Sequence, residues 1–238
     1  MSNENPRSKW LIVSLILVAV VVIAAVVIVI VTGLSDDEAQ NDIPMQDAQT
    51  ANVEPSECGL EADANMNMDQ PPANSDSITV GLATVPASET TGPADMYESV
   101  PVCWQYSEAG AVQAAYTFAA VASDAPRLTL DHLKAHLADG PGRDELISKL
   151  ENADSMGTDS VPIQPVGYRV LNFSDDRADI DVLVENPDDP GVYGALTSPL
   201  VWQHGDWKLE VQDDGEYYNE FRDVSNPSEF TFWEADSS

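Results

Sequence analysis

An uninterrupted apolar run near the N-terminus constrains this chain more than any other feature. Residues 11–31 form a stretch of 21 residues in which only Ser14 is polar, and 17 of them are Leu, Ile or Val. A helix of this length spans roughly 32 Å, which matches a bilayer hydrocarbon core of about 30 Å. Inside lipid the backbone must satisfy its own hydrogen bonds, so the β-branched residues do not argue against a helix. We therefore predict a transmembrane helix over residues 11–32.

The residues on either side of this run indicate its orientation. Arg7 and Lys9 precede it, and three consecutive acidic residues, 36–38, follow it. Because positive residues stay on the cytoplasmic side, residues 1–10 are predicted to be a cytoplasmic stub and the chain after the helix to be extracytoplasmic. A cleaved signal peptide would have an apolar region of about 7–15 residues and a small-x-small cleavage site, which residues 32–35 do not provide. The sequence therefore predicts a single-pass protein of the cell membrane.

The acidic composition argues against one class of partner. The chain has a formal net charge of −31, with 41 acidic residues against 10 Lys and Arg, and nearly all of this charge follows the predicted membrane helix. Such a surface repels nucleic acid and anionic lipid head groups, so we predict no nucleic-acid partner. The remaining interpretations are a solvated surface, attraction of cations or of a basic partner, or a salty environment.

The two cysteines, Cys58 and Cys103, both fall on the predicted extracytoplasmic side, where disulfides persist. A bridge between them would tie the segment after the membrane helix to the start of the folded domain. Two free thiols and an intermolecular bridge through Cys58 are the other interpretations, because a single pair of cysteines has no diagnostic spacing.

Residues 33–77 are predicted to be a disordered acidic stalk. The segment is rich in Asp, Glu, Asn, Gln, Ser and Pro and has no aromatic residue, so it cannot bury enough apolar surface to offset its ordering entropy. A flexible chain of this length has an end-to-end distance of roughly 35–40 Å. The stalk would hold the globular part away from the membrane.

Apolar residues at three- and four-residue spacing predict three helices in the outer domain. Ser107 is the expected N-cap of a helix that runs to about Ser123. Thr129 is the expected cap of a second helix, which the sequence Gly-Pro-Gly at 140–142 would end. A third, short helix is predicted over residues 143–152.

The period of the apolar residues then changes to two, which indicates strands. His204 and Gly205 are the expected two-residue turn of the last hairpin. Asp179 and Asp181 lie two apart on one strand and are predicted to face solvent. The fold class is predicted to be α+β, with three helices on one face of a curved four-stranded antiparallel sheet over residues 78–215. The predicted strands cover residues 166–171, 178–185, 192–202 and 207–211.

The tail, residues 216–238, is polar but contains many aromatic residues. Two interpretations follow, because clustered aromatic side chains seldom remain in water. The tail either packs back onto the domain or forms a segment that contacts a partner through Phe230, Phe232 and Trp233.

The order of helices and strands, together with three short segments, resembles the nuclear-transport-factor-2-like (cystatin-like) superfamily. The segments are the hairpin at 201–209 with its Gly-Asp turn and Trp-Lys-Leu strand, the Ser-Glu-Ala-Gly-Ala-Val sequence at 107–112, and the closing Phe-Thr-Phe-Trp at 230–233. The layout of stub, anchor, stalk and outer domain is similar to actinobacterial single-pass membrane proteins. It also resembles VirB8-like and TcpC-like subunits of conjugation and type IV secretion machines, and membrane proteins associated with mammalian-cell-entry lipid transporters.

This resemblance implies a non-enzymatic interaction or scaffold protein, a subunit of a conjugation or type IV secretion-like envelope assembly. Its partners would be other envelope proteins or further copies of the chain. The alternative is a ligand-binding domain, or an enzyme, that uses the cone-shaped cavity of this fold, for example in lipid transport. Tyr168, Trp202 and Trp207 would line that cavity, or, as large aromatic residues on alternating strand positions, would be core residues.

No residue pattern identifies a catalytic, cofactor or metal site. His132 and His136 are four apart on one helix and His204 follows later, but no His-Glu-x-x-His or Cys-x-x-Cys motif supports a zinc site. Acidic pairs at 175–176 and 188–189 fall in predicted turns without the spacing of a calcium-binding loop. The sequence also has no nucleophile elbow, phosphate loop or dinucleotide fingerprint. We therefore predict a protein that is not an enzyme and has no cofactor and no metal.

Overall fold

The computed structural model of the chain describes residues 55–64, 67–71, 76–124, 129–153, 162–218 and 221–233. These residues belong to one compact unit, Gln49–Ser238. The predicted cytoplasmic stub and the predicted membrane helix, residues 11–32, lie outside the described residues. Among the helices that are described, none has the length and apolar character needed to cross a membrane.

Three α-helices occur in the described ranges, and the first two have the N-cap residues that the sequence predicts. The Ser107 side chain accepts a hydrogen bond from the Gly110 N–H at 3.0 Å, and the Thr129 side chain accepts one from the His132 N–H at 3.2 Å. The third helix starts at Pro141 instead of residue 143, because the fixed φ of proline and its missing N–H suit the first helical position. The helices are α1 (Glu108–Ala122), α2 (Leu130–His136) and α3 (Pro141–Glu151).

The Ser107 cap allows a direct test of this local structure. We expect Ser107→Ala to lower the free energy of unfolding by about 1 kcal/mol, because the Gly110 N–H at the start of α1 loses its acceptor. Ser107→Gly should cost only a few tenths of a kcal/mol, since glycine leaves room for water at the helix end. Urea unfolding of the two variants, followed by circular dichroism, measures the difference. Equal losses in both variants would contradict a capping role.

The strands of the described residues form one central sheet and two small ones. The small sheets, which precede α1, consist of β1 (Asp76–Val80), β2 (Ala83–Ala87), β3 (Asp95–Tyr97) and β4 (Val100–Val102). The central strands are β5 (Gln164–Phe173), β6 (Arg177–Glu185), β7 (Tyr193–Gln203), β8 (Asp206–Leu209), β9 (Arg222–Val224) and β10 (Thr231–Phe232). Within the described residues these six strands are antiparallel in the order β10-β5-β6-β7-β8, with β9 also paired to β7, and the small sheets are the pairs β1-β2 and β3-β4.

The predicted fold class, with three helices on a four-stranded sheet, is wrong. Strands β5 to β8 form the expected meander, but the tail adds β9 beside β7 and β10 beside β5. Two or three residues are too few to show a period of two, so periodicity alone cannot find these strands. The predicted turn is confirmed: His204 and Gly205 have φ values of 56° and 71°, and they join Gln203 to its cross-strand partner Asp206.

Helix α1 lies at the centre of the core. All of its residues from Ala109 to Ala120 are buried, which is typical of a helix that is covered on every side. The sheet contacts it through β6, β5 and β8, and β2 of the first small sheet contacts it as well. Because so many of its side chains are alanine, both layers can approach the helix closely. Strand β2 is therefore part of the core, close to the predicted start of the outer domain at residue 78.

A segment that the sequence assigns to the disordered stalk is ordered, and we call its described residues, 55–64 and 67–71, the strap. The Met68 side chain is buried in the core, and the Glu57 N–H donates to the Gly205 carbonyl at 2.9 Å. The Asp63 N–H donates to the carbonyl of Tyr106, also at 2.9 Å. Composition misses these contacts because most of them use the main chain. The prediction of disorder is therefore wrong for these residues.

Cys58 and Cys103 form an intrachain disulfide across 45 residues, with 6.1 Å between their Cα atoms. The sequence left three interpretations open, and the structure confirms the intrachain bridge. Cys58 is exposed on the strap, whereas Cys103 is buried and donates its N–H to the Asp206 carboxylate at 3.2 Å. The bridge therefore fastens the strap to the segment between β4 and α1.

Candidate functional site

The aromatic residues predicted to line a cavity pack in the core. The ring of Trp207 stacks on that of Tyr106 with 5.8 Å between centroids, and Trp202 meets Trp207 edge-on at 5.3 Å. Tyr168 is buried, and its hydroxyl donates to the Met68 carbonyl at 3.0 Å. Burial, and then the charge of nearby carboxylates, raise the pKa of Tyr168 far above its usual value, so the phenol stays neutral. The three side chains are therefore packing groups of the core.

The three tail aromatics predicted as partner contacts are not equally accessible. Phe230 and Trp233 are buried, and the Trp233 ring meets that of Tyr116 at 5.7 Å. Phe232 is 40% exposed and lies edge-on to Tyr193 at 6.2 Å. Only Phe232 of this group is therefore available at the surface.

The three histidines occupy unrelated settings. In His136 both ring nitrogens face main-chain carbonyls, that of His132 at 2.7 Å and that of Pro101 at 3.0 Å. His132 completes the capping box of α2, accepting from the Thr129 N–H at 3.2 Å. His204 is exposed and lies 2.8 Å from Asp139. Among the residues that the structure describes, no three side chains of metal-ligating type gather in one place.

The setting of His136 makes stability depend on pH. Burial lowers the pKa of His136, and hydrogen bonds to the Pro101 and His132 carbonyls offset this only in part. Since the unfolded chain, with a pKa of about 6.5, takes up the proton first, stability falls as the pH drops below that value, by at most about 1.4 kcal/mol per pH unit. We expect His136→Gln to flatten this slope when urea unfolding is compared at pH 7.5 and 5.5. Identical slopes would contradict the assignment.

The prediction that Asp181 faces solvent is wrong. Its side chain is 1% exposed, and its carboxylate accepts from the Arg169 guanidinium at 2.7 Å and from the Thr197 hydroxyl at 2.6 Å. The guanidinium of Arg222, on β9, also donates to it. The Asp181 side chain does lie on the predicted face of the sheet, but the tail covers that face and buries the carboxylate. The Asp181 carboxylate therefore accepts hydrogen bonds from two arginines, Arg169 on β5 and Arg222 in the tail.

This ion cluster holds the tail against the sheet. The Arg169 guanidinium lies over the Phe230 ring, 4.9 Å from its centroid, and also donates to Glu229 at 3.1 Å. Burial by itself would raise the pKa of Asp181, but hydrogen bonds from Thr197, Arg222 and Arg169 outweigh it and lower that pKa. The carboxylate is therefore ionised and paired at neutral pH, and it fixes the position of β9.

An apolar groove of about 510 Å³ lies where the end of α1, the start of β5 and the β6–β7 connection meet, and we call it the docking groove. Two of its large side chains project into solvent: Val192 is 51% exposed and Phe221 is 57% exposed. A smaller depression of about 200 Å³, which includes Tyr217, shares residues with it and continues along α1. The apolar lining of the docking groove is Ala122, Ile163, Val184, Val192, Leu196 and Phe221.

One wall of the docking groove depends on a glycine. The Phe221 ring lies directly against Gly194 of β7, where any Cβ would overlap the ring. Phe221 precedes β9, and the next residue, Arg222, is the one that binds Asp181. The ion cluster on one face of the sheet therefore positions the aromatic wall of the groove.

The rim of the docking groove is acidic. Glu185 and Asp223 line it, and Asp188 and Asp189 are exposed in the connection between β6 and β7. No lysine or arginine is present among the described residues of the lining. The described lining therefore combines an apolar floor with a negatively charged rim, in which Glu185 also accepts from the Gly191 N–H at 2.8 Å.

Comparison with protein families places these features within one sequence family. The family described as a domain of unknown function (DUF8175) matches residues 38–232. The chain belongs to the DUF8175 family. No curated protein and no solved structure matches it.

The DUF8175 match, residues 38–232, includes the whole strap and stops at Phe232, the last residue of β10. The match is therefore wider than the predicted outer domain, residues 78–215, because strap and tail belong to the same unit.

Little in the sequence indicates the groove of this DUF8175 member. Val192 is predicted to start a strand, and Phe221 is one of several aromatic residues in the tail. The available signals were the aromatic residue in a polar tail and the acidic Asn-Pro-Asp-Asp-Pro-Gly connection at 186–191. Bringing them together requires the pairing of β9 with β7, which no local pattern indicates.

Proposed function

We propose that this protein is a membrane-anchored, extracytoplasmic interaction protein, and that the docking groove is the surface through which it contacts another envelope protein. The observation that supports this most is the pair of large apolar side chains, Val192 and Phe221, each more than half exposed beside an apolar groove. Leu82 and Met96 are about as exposed, but Val192 and Phe221 both border one apolar groove. Exposed apolar surface rimmed by polar groups is typical of interaction sites.

Docking would bury apolar surface that folding leaves exposed, and it would therefore release free energy. Fully burying a Val or Phe side chain is worth about 1.5–3 kcal/mol each. Half of that is available at Val192 and at Phe221, and a partner side chain that enters the groove adds its own burial. Central aromatic residues often dominate binding energy in this way.

The proposed location follows from the apolar run at 11–31 and the basic residues before it. The resemblance to conjugation and secretion subunits remains a prediction, because the family match carries no information on it. The alternative, a ligand cavity lined by Tyr168, Trp202 and Trp207, has no observation in its favour, since these side chains pack against core residues.

Site-specific photocrosslinking in native membranes tests the proposal. p-Benzoylphenylalanine is placed at Val192 in one variant and at Leu171 in the control, because Leu171 is 49% exposed and lies near the end of β5, whereas the groove is at the start of that strand. We expect irradiation to give a discrete adduct with another protein at Val192 and none at Leu171. No adduct at Val192, or the same adduct at both positions, would overturn the proposal.

A further inference from the structure

We infer that the docking groove accepts a protein segment in which a large apolar side chain is flanked by Lys or Arg. This inference rests on the proposed function and adds the chemistry of the partner. Charge complementarity between the groove and its occupant supports it.

The floor of the groove specifies the apolar part of the segment. The buried Val184 and the half-buried Ile163 and Leu196 line it together with the exposed Phe221. No charged group of the floor needs a counter-charge, so an aromatic or branched aliphatic side chain can enter without desolvating an ion. A volume of about 510 Å³ is large enough for one or two such side chains.

The rim specifies the charge of the flanking residues. Glu185 and Asp223 line the groove, and the exposed Asp188 and Asp189 lie within four residues of Glu185 in sequence. Arg222, which neighbours Asp223, is already paired with Asp181 and does not line the groove. A basic segment gains complementary pairs at this rim, whereas an acidic segment meets like charges.

The same rim disfavours the other occupants. A second copy of the chain in a two-fold interface would place identical acidic rims against each other, and each copy carries a net charge of −31. Anionic lipid head groups meet the same repulsion. A basic and apolar protein segment is the occupant that suits both the floor and the rim.

The test uses the full chain purified in detergent and three fluorescent synthetic peptides. The first has the sequence Lys-Lys-Phe-Leu-Phe-Lys-Lys, the second replaces each Lys by Glu, and the third keeps the lysines but replaces the apolar core by Ser-Gly-Ser. Fluorescence anisotropy measures binding at 50 mM and at 500 mM salt. We expect the first peptide to bind at least about tenfold more tightly than either of the others at low salt, with the advantage shrinking at high salt because screening weakens rim attraction.

Two variants locate the binding. Glu185→Gln combined with Asp223→Asn should weaken binding of the first peptide about fivefold at low salt. The matched control, Asp144→Asn combined with Glu145→Gln, makes the same charge change on the exposed face of α3 and should have little effect. Gly194→Ala should weaken binding about tenfold with a melting temperature close to the wild type, because the new Cβ displaces only the ring of Phe221.

The outcomes separate the inference from the proposed function. Equal affinities for the first two peptides, or equal losses in the groove and control variants, would overturn the inference even when Val192 still crosslinks to another protein. A photo-adduct between two copies of the chain would also overturn it. Failure of both the peptides and the crosslink would overturn the inference and the proposed function together.

Discussion

Replacing Asp181 with asparagine is expected to lower the free energy of unfolding by about 3 kcal/mol. Removing one member of a buried ion pair typically costs about 3–5 kcal/mol, because the partner is left without its counter-charge. We expect a loss at the lower end of this range, because Arg169 and Arg222 keep more than a third of their side-chain surface in water and can be hydrated. Urea unfolding at pH 7 measures the loss, and Asp179→Asn on the same strand is the matched control, with an expected loss below about 1 kcal/mol.

The same residue should make stability fall in acid. Because the folded-state pKa of Asp181 is lowered, its contribution is complete above the unfolded value of about 3.9 and is lost as the pH falls towards the folded value. The wild type should therefore lose stability more steeply than Asp181→Asn below about pH 4. Parallel acid profiles would contradict the assigned role of the carboxylate.

Releasing Asp181 should also loosen the tail. The Arg222 contact holds β9 against β7, and Phe221 lies next to it in the chain. We expect faster amide exchange at residues 222–224 in Asp181→Asn than in Asp179→Asn. Unchanged exchange there would mean that backbone pairing alone holds the strand.

Removing the disulfide should have an effect of similar size by a different route. The bridge closes a loop of 45 residues, and the chain-entropy estimate for that length is about 4 kcal/mol. The double variant Cys58→Ser, Cys103→Ser should therefore unfold at a clearly lower urea concentration than the wild type. Limited proteolysis should also cut the strap sooner in the variant, because Cys58 is exposed and no longer fastened.

Reduction provides the control for this prediction. Wild-type protein treated with a phosphine reductant should approach the stability of the double variant, while the variant itself should not respond. A stability that is unchanged in both would show that the hydrogen bonds of the strap to Gly205 and Tyr106 suffice to hold it.

The helices and the main strands could be predicted because their signals are local. Ser107 and Thr129 are capping residues placed directly before apolar periodicity, and the pattern through residues 178–185 is long enough to identify β6. The strap and the tail strands β9 and β10 have no such local signal in the sequence. Met68 is buried in the core although its neighbours are polar, and β10 has only two residues. Their positions depend on partners far away in the sequence.

The candidate site was harder to predict than the fold. Tyr168, Trp202 and Trp207 are conspicuous in the sequence, but size alone does not separate a core residue from a pocket residue. Asp181 was assigned to the correct face of the sheet, yet its burial depends on Arg222, 41 residues later in the chain. Phe221 acquires its position through the same contact, so the groove could not be inferred before the path of the tail was known.

The disulfide also has a mechanical consequence. Suppose that the N-terminal end of the domain is pulled while a partner holds the groove. Tension enters through the strap at Cys58 and crosses the sulfur–sulfur bond to Cys103, since this covalent route is shorter than the intervening chain. The two small sheets, β1-β2 and β3-β4, lie between these cysteines in sequence and are outside the load path. A tether fastened in this way transmits force to the start of α1 without peeling those hairpins from the core.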